Sequence, residues 1–183
     1  MEISLPNENC YWVEPGRLLA GEYPGAKQED EARQKLKTFI SCGVTFFLDL
    51  TEESELVPYS HLLSDPALNG GKRLTHYRVP IRDVNVPGST SEMAAILDAI
   101  ENALKDGDAV YVHCLGGVGR TGTVIGCYLT RSGISGEEAL RKLASMWRTV
   151  GKSKRKPLSP ETPEQREFVR NWSETGHAPR IAS

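Results

Sequence analysis

No pair among the four cysteines, Cys10, Cys42, Cys114 and Cys127, has the C-x-x-C spacing. That absence argues against a structural zinc site and against a secreted disulfide scaffold. There is no excess of one charge either: a net charge of −2, with 25% charged and 39% hydrophobic residues, gives no general pull toward nucleic acid or membrane. Any preference for a partner has to come from local charge. No apolar run approaches membrane-spanning length. The opening residues, Met1, Glu2 and a polar stretch to Pro6, lack the basic and apolar segments of a secretory leader. These absences leave the expectation of a cytoplasmic protein with free thiols. At 183 residues one domain with a single core is expected, most of it between residues 16 and 175, with less ordered termini.

Apolar spacing alternates between strand and helix patterns. A short extended stretch covers Arg17–Ala20, and Leu36, Phe39 and Ile40 share one face of a helix over 30–40 that stops at Gly43. Residues 44–50 and 75–81 read as strands, with a turn at Asn69–Gly71 between them. Ser89 and Glu92 form a capping pattern ahead of Met93, Ile96, Leu97, Ile100 and Leu104. A strand then ends at His113, and Val124, Ile125, Tyr128 and Leu129 mark a buried helix after it. Ser135 and Thr162 open two further helices. Strands alternating with helices predict an α/β domain with a mostly parallel sheet flanked by helices. Ligands in such folds sit at the carboxyl ends of strands, where Cys114 falls.

The segment from Ala109 to Thr121 joins a strand, a cysteine, a glycine-rich turn and an arginine. Of the four cysteines, only Cys114 has an arginine six positions on. Gly117-Val118-Gly119-Arg120-Thr121-Gly122 fits the dinucleotide pattern G-x-G-x-x-G. The acidic residue that should end a second strand about twenty positions later is missing, since Glu137 and Glu138 open a helix instead. A nucleoside-triphosphate loop would need a lysine where Thr123 follows Gly122. The reading that uses every residue is an oxyanion cradle. Loop N–H groups from Leu115, Gly116, Gly117, Val118 and Gly119 point inward, a helix N-terminus adds positive potential, and Arg120 forks onto two oxygens. The same field favours a thiolate at Cys114.

His113-Cys114-Leu115-Gly116-Gly117-Val118-Gly119-Arg120-Thr121 resembles the His-Cys-x5-Arg-Ser/Thr signature of cysteine-dependent protein tyrosine and dual-specificity phosphatases. The resemblance runs from about Gly16 to Trp172 and is similar to compact microbial members in Pro15–Gly25, the Asp83 loop and Thr162-Pro163-Glu164-Gln165. It implies that fold and a two-step phosphomonoester hydrolysis through phosphocysteine, without metal or cofactor. Phosphorylated protein or peptide is the implied substrate, and phosphate, vanadate or sulfate the implied occupant of the loop. Cys114 is then the nucleophile and Arg120 the phosphate clamp; Thr121 assists departure of the sulfur or caps the helix, and His113 organises the loop. Asp83, after the strand 75–81, is the expected general acid. Gln165 has two open readings, a water-positioning side chain and a capping-box residue. Asp49, Glu52 and Glu53 follow a central strand and read either as a solvated acidic turn or as residues flanking the cleft. The basic run Lys152-Ser153-Lys154-Arg155-Lys156 is expected near the catalytic mouth, where it would recruit acidic phosphosubstrates. A phosphoinositide or other non-protein phosphatase and an inactive phosphotyrosine-binding module are the alternatives.

Overall fold

The structure, a computed structural model, describes residues 4–174. Five strands form one sheet in the order β1-β2-β5-β3-β4: β1 (Cys10–Glu14), β2 (Leu18–Gly21), β3 (Phe46–Asp49), β4 (Thr75–Arg78) and β5 (Val110–His113). β1 pairs antiparallel with β2, and every other pairing is parallel. β1 is absent from the sequence expectation, and it extends the core ahead of residue 16. The expectation of less ordered ends falls on residues outside those described except at 4–15, which include β1.

The period of two sorts the side chains between faces. Leu18, Ala20, Leu48, Val110 and Val112 face one apolar cluster, while Leu19, Phe47 and Tyr111 face the other. Both faces are therefore covered, as a largely parallel sheet requires. α1 (Glu29–Ser41), a 3-10 turn (Ser60–Ser64) and α2 (Pro66–Asn69) supply the second cluster. α3 (Thr90–Lys105), α4 (Gly119–Arg131), α5 (Gly136–Trp147) and α6 (Pro163–Asn171) supply the first. The 3-10 turn and α2 occupy the stretch that showed only a turn in sequence, because neither is long enough to display a helical period.

Local chemistry fixes the helix starts. Ser89 accepts from Glu92 N–H, Ser135 from Glu138 N–H, and Thr162 from Gln165 N–H. α4 runs through the middle of the helical layer, and Gly126 lets α6 rest on it: a Cβ there would come within 2.7 Å of the Val169 side chain. The parallel register places Gly21, His113, Asp49 and Arg78 in one row at the carboxyl ends of the strands. That row is the floor on which the loop after β5 stands.

Candidate active site

The loop between β5 and α4 has reversed polarity. Its carbonyls are drawn outward: Cys114 O accepts from His113 Nδ1 at 3.3 Å, Leu115 O from Tyr23 N at 3.0 Å and Gly116 O from Lys152 Nζ at 3.1 Å. Val118 O accepts from Ser159 Oγ and Gly119 O from Thr123 Oγ1, both at 2.8 Å. Among the described residues, the N–H groups of Leu115, Gly116, Gly117 and Val118 donate to no protein acceptor. Unpaired amides grouped in one short loop suit an anion. Gly117 makes the turn possible. Its φ is +72°, and a Cβ there would lie 2.4 Å from the Gly21 carbonyl carbon.

A cavity of about 410 Å³ opens on this loop, lined by Cys114 with Arg120, Asp83, Gln165, Val84 and Lys152 among others. Arg120 is 2% exposed. Its Nη1 donates to Glu55 Oε2 at 2.8 Å and to the Ile81 carbonyl at 3.1 Å, and its Nη2 donates to Glu55 Oε1 at 2.6 Å. Nε–H and the second Nη2–H remain, and Asp83 Oδ1 lies 3.0 Å from Nη2. The guanidinium in turn holds the Glu55 carboxyl below its ordinary range. Glu55 had no sequence signal beyond belonging to an acidic turn.

Beneath the loop, a carbonyl can only accept, so His113 Nδ1 carries the hydrogen toward Cys114 O, and Nε2 accepts from the Tyr59 hydroxyl at 2.6 Å. Burial pushes His113 down to about 4, against the pull of Asp49, so the ring is neutral near pH 7. The solvated-turn reading fails for Asp49, which is fully buried. As the last residue of β3 it stands in the floor row, where Thr51, His76 and Arg78 give it donors. Burial raises its pKa, yet the bonds from His76 and Thr51 carry it well below the carboxylate range. Glu52 and Glu53 are exposed as expected.

Thr121 departs from its capping reading. α4 begins at Gly119 with Val118 as its N-cap, so Thr121 lies inside the helix and caps nothing. Its hydroxyl is buried without a hydrogen-bond partner, so it makes no bond to the Cys114 sulfur. Gln165 has contacts on two sides. It completes the capping box of α6, and it also lines the cavity while its Nε2 donates to Asn85 O at 3.0 Å, next to the Asp83 loop. In the basic run, Lys152 and Lys156 reach the cavity, but each already has a carboxylate, Glu22 and Glu161 respectively. Cys10 sits opposite Gly21, which sits opposite His113. Two strand spacings, about 9.5 Å, separate Cys10 from β5, beyond the reach of about 7 Å for a disulfide.

The family model described as PTP-SAK, Swiss Army Knife protein, DSP-PTPase phosphatase domain, matches residues 7–176. A curated relative, putative tyrosine phosphatase 067L of Invertebrate iridescent virus 3, is 30% identical over 128 residues, covering 67% of this chain and 46% of its own. The phosphatidylinositol 3,4,5-trisphosphate 3-phosphatase and protein-tyrosine-phosphatase PTEN1 of Arabidopsis thaliana is 33% identical over 99 residues, covering 53% and 22%. The chain thus spans less than half the length of either relative. Among solved structures, Tk-PTP in its active form is 26% identical with a TM-score of 0.66, covering 90% of this chain and 95% of that one.

Two outcomes are expected from this geometry. Glu55→Gln should weaken orthovanadate binding about tenfold by releasing Arg120, measured by isothermal calorimetry; unchanged affinity would mean the guanidinium keeps its aim unaided. For His113, the unfolded imidazole takes up a proton near pH 6.5 that the folded ring refuses until about 4. Stability from this group is therefore complete above that window and falls as pH drops through it, by up to about 3 kcal/mol. Thermal melts of His113→Asn should show a shallower slope between those pH values than the parent, and equal slopes would assign the dependence elsewhere.

Proposed function

The chain belongs to the DSP-PTPase phosphatase family, and on that footing we propose that it hydrolyses phosphomonoesters through a phosphocysteine on Cys114. Phosphotyrosyl peptides are the leading substrate class, and phosphoseryl and phosphothreonyl peptides are the dual-specificity extension. The observation that carries the reading is the run of unpartnered amides from Leu115 to Val118, of which Leu115, Gly116 and Val118 line the same cavity as Cys114.

In the first step the non-bridging phosphate oxygens accept from those amides and from the Nε–H and second Nη2–H of Arg120. The Cys114 thiolate attacks phosphorus, the bond to the leaving oxygen breaks, and Asp83 gives that oxygen its proton. In the second step the Asp83 carboxylate takes a proton from water as the water oxygen attacks phosphorus. The P–S bond breaks, and thiolate and inorganic phosphate are restored. Gln165, between the loop and Asn85, suits holding that water, and Thr121 suits a hydroxyl that turns to the departing sulfur. His113 acts on the loop rather than on substrate. Asp83 fits the acid role because it is 59% exposed at the rim yet faces Arg120. Val84 and Leu115, both exposed and lining the cavity, give the rim an apolar contact for an aryl leaving group.

A phosphoinositide reading is favoured by the Lys152 and Lys156 ammonium groups at the cavity and by the likeness to PTEN1. It is disfavoured by the lysine-free spacer between Cys114 and Arg120 and by the carboxylates already on both lysines.

Turnover of a phosphopeptide library beside inositol lipids, with EDTA present and vanadate as inhibitor, separates these substrates. Cys114→Ser should retain phosphopeptide binding with turnover abolished, whereas a wild-type chain that binds without turnover would be a recognition module. Asp83→Asn should lower kcat on phosphotyrosyl peptides by about 10²–10³-fold, with a much smaller loss on aryl phosphates whose leaving group needs little protonation. Equal losses on both would move the acid to another residue.

A further inference from the structure

The carbonyls of the glycine loop are held by donors of two kinds. His113, Tyr23, Ser159 and Thr123 use neutral groups, but Gly116 O is held by the ammonium of Lys152 at 3.1 Å. The peptide it holds differs from its neighbours. Gly116–Gly117 is the one link in the loop with glycine on both sides. A Cβ at Gly116 would meet nothing nearer than Val118 Cγ2 at 3.5 Å, so local packing does little to orient it. With no side chain on either residue the torsional preference is weak, and the direction of this peptide has to be set from outside.

Lys152 is built to set it. Its backbone lies in a 3-10 turn (Gly151–Lys154) that is fastened by Gly151 N–H to Glu8 O at 2.9 Å. Its ammonium is paired with Glu22 Oε2 at 2.6 Å, and Glu22 Oε1 is itself fixed by Asn9 Nδ2 at 3.1 Å. Tyr111 adds a bond from its hydroxyl to the Glu22 carbonyl. The chain of contacts runs from the segment before β1 through Glu22 to the loop. An ammonium so placed is too well occupied to serve first as a recruiter of acidic substrates.

We propose that Lys152 is a positioning residue: by gripping Gly116 O it keeps the Gly116–Gly117 peptide with its carbonyl outward and the Gly117 N–H inward, among the amides that meet the oxyanion. Turned the other way, the same peptide would remove one donor and present an oxygen to the phosphate. The role rests on the phosphate-binding reading of the loop and deepens it. It also reassigns the first lysine of the basic run from substrate recruitment to the shape of the cradle.

The test compares Lys152→Met and Lys152→Arg with wild type, using inorganic phosphate as the probe. The Gly117 amide resonance in ¹⁵N-resolved spectra and the phosphate dissociation constant are followed between about 0.05 and 0.5 M salt. Lys152→Met should weaken phosphate about tenfold at both ends of that range, as expected for a lost bond to a charged donor, and should move the Gly117 resonance in the phosphate-free protein. Lys152→Arg should recover most of the affinity. Unchanged affinity in Lys152→Met, or a loss that vanishes at high salt, would overturn the proposal, the second because it would reduce Lys152 to a distant charge. If Lys152→Met does not fold, Glu22→Gln loosens the anchor while keeping the lysine; it should weaken phosphate severalfold, and wild-type affinity there would equally overturn the role. A wild-type chain that neither binds phosphate nor turns over substrate sinks the phosphatase reading instead, while the Gly117 resonance still reports on the peptide.

Discussion

The outward pull on the carbonyls of residues 114–116, 118 and 119 is the constraint on which the site depends. A run of peptides in an open loop would ordinarily direct its N–H and C=O groups to either side. Here the strand before it, the helix after it and three remote segments each capture a carbonyl. The amides left facing the cavity are then oriented before any anion arrives. That matters energetically because dipoles fixed in advance need no reorganisation when charge develops. The same captures account for features that look separate. Gly117 fits against the Gly21 backbone, and Tyr23 sits two residues beyond it where its N–H can reach Leu115 O.

Arg120 raises the opposite problem, a buried cation that must be stabilised without being neutralised. Burying a guanidinium is costly unless a carboxylate faces it with good geometry. Glu55 supplies that geometry by taking one N–H from each terminal nitrogen. Two N–H groups are left over, and one of them, on Nη2, has Asp83 Oδ1 at 3.0 Å. The floor repeats the pattern, where Asp49 is buried under His76, Arg78 and Thr51 and the neutral His113 ring passes its orientation to the loop.

What was legible in sequence is what local patterns encode. The strand, the glycine turn and the helix after Cys114 are contiguous, so their spacing exposed both the cradle and its arginine. The capping boxes announced α3, α5 and α6 for the same reason. Contacts that join distant segments left no such trace. Glu55 and Arg120 are 65 residues apart, and Tyr59 and His113 are 54 apart. Nothing in an acidic turn distinguishes the glutamate that will meet a buried cation from its solvated neighbours Glu52 and Glu53. Thr121 was misplaced for a related reason: hydroxyl residues favour helix starts, but the left-handed turn at Gly117 starts the helix earlier than that preference suggests.

The Asp83 loop is fastened by contacts that converge on Arg120 and Gln165, which line the cavity with it. Asp83 faces Arg120, its N–H reaches Glu52, and Asn85 O is held by Gln165. Beside it Val84 has φ +60°, a conformation that β-branched residues rarely adopt and that costs on the order of 1–3 kcal/mol. On the proposed mechanism an Asp83 carboxylate competes with a phosphate oxygen for the second Nη2–H, whereas the protonated carboxyl can donate instead. On that mechanism, filling of the cradle and arming of the acid are opposed in one protonation state and compatible in the other, and a single arginine couples them.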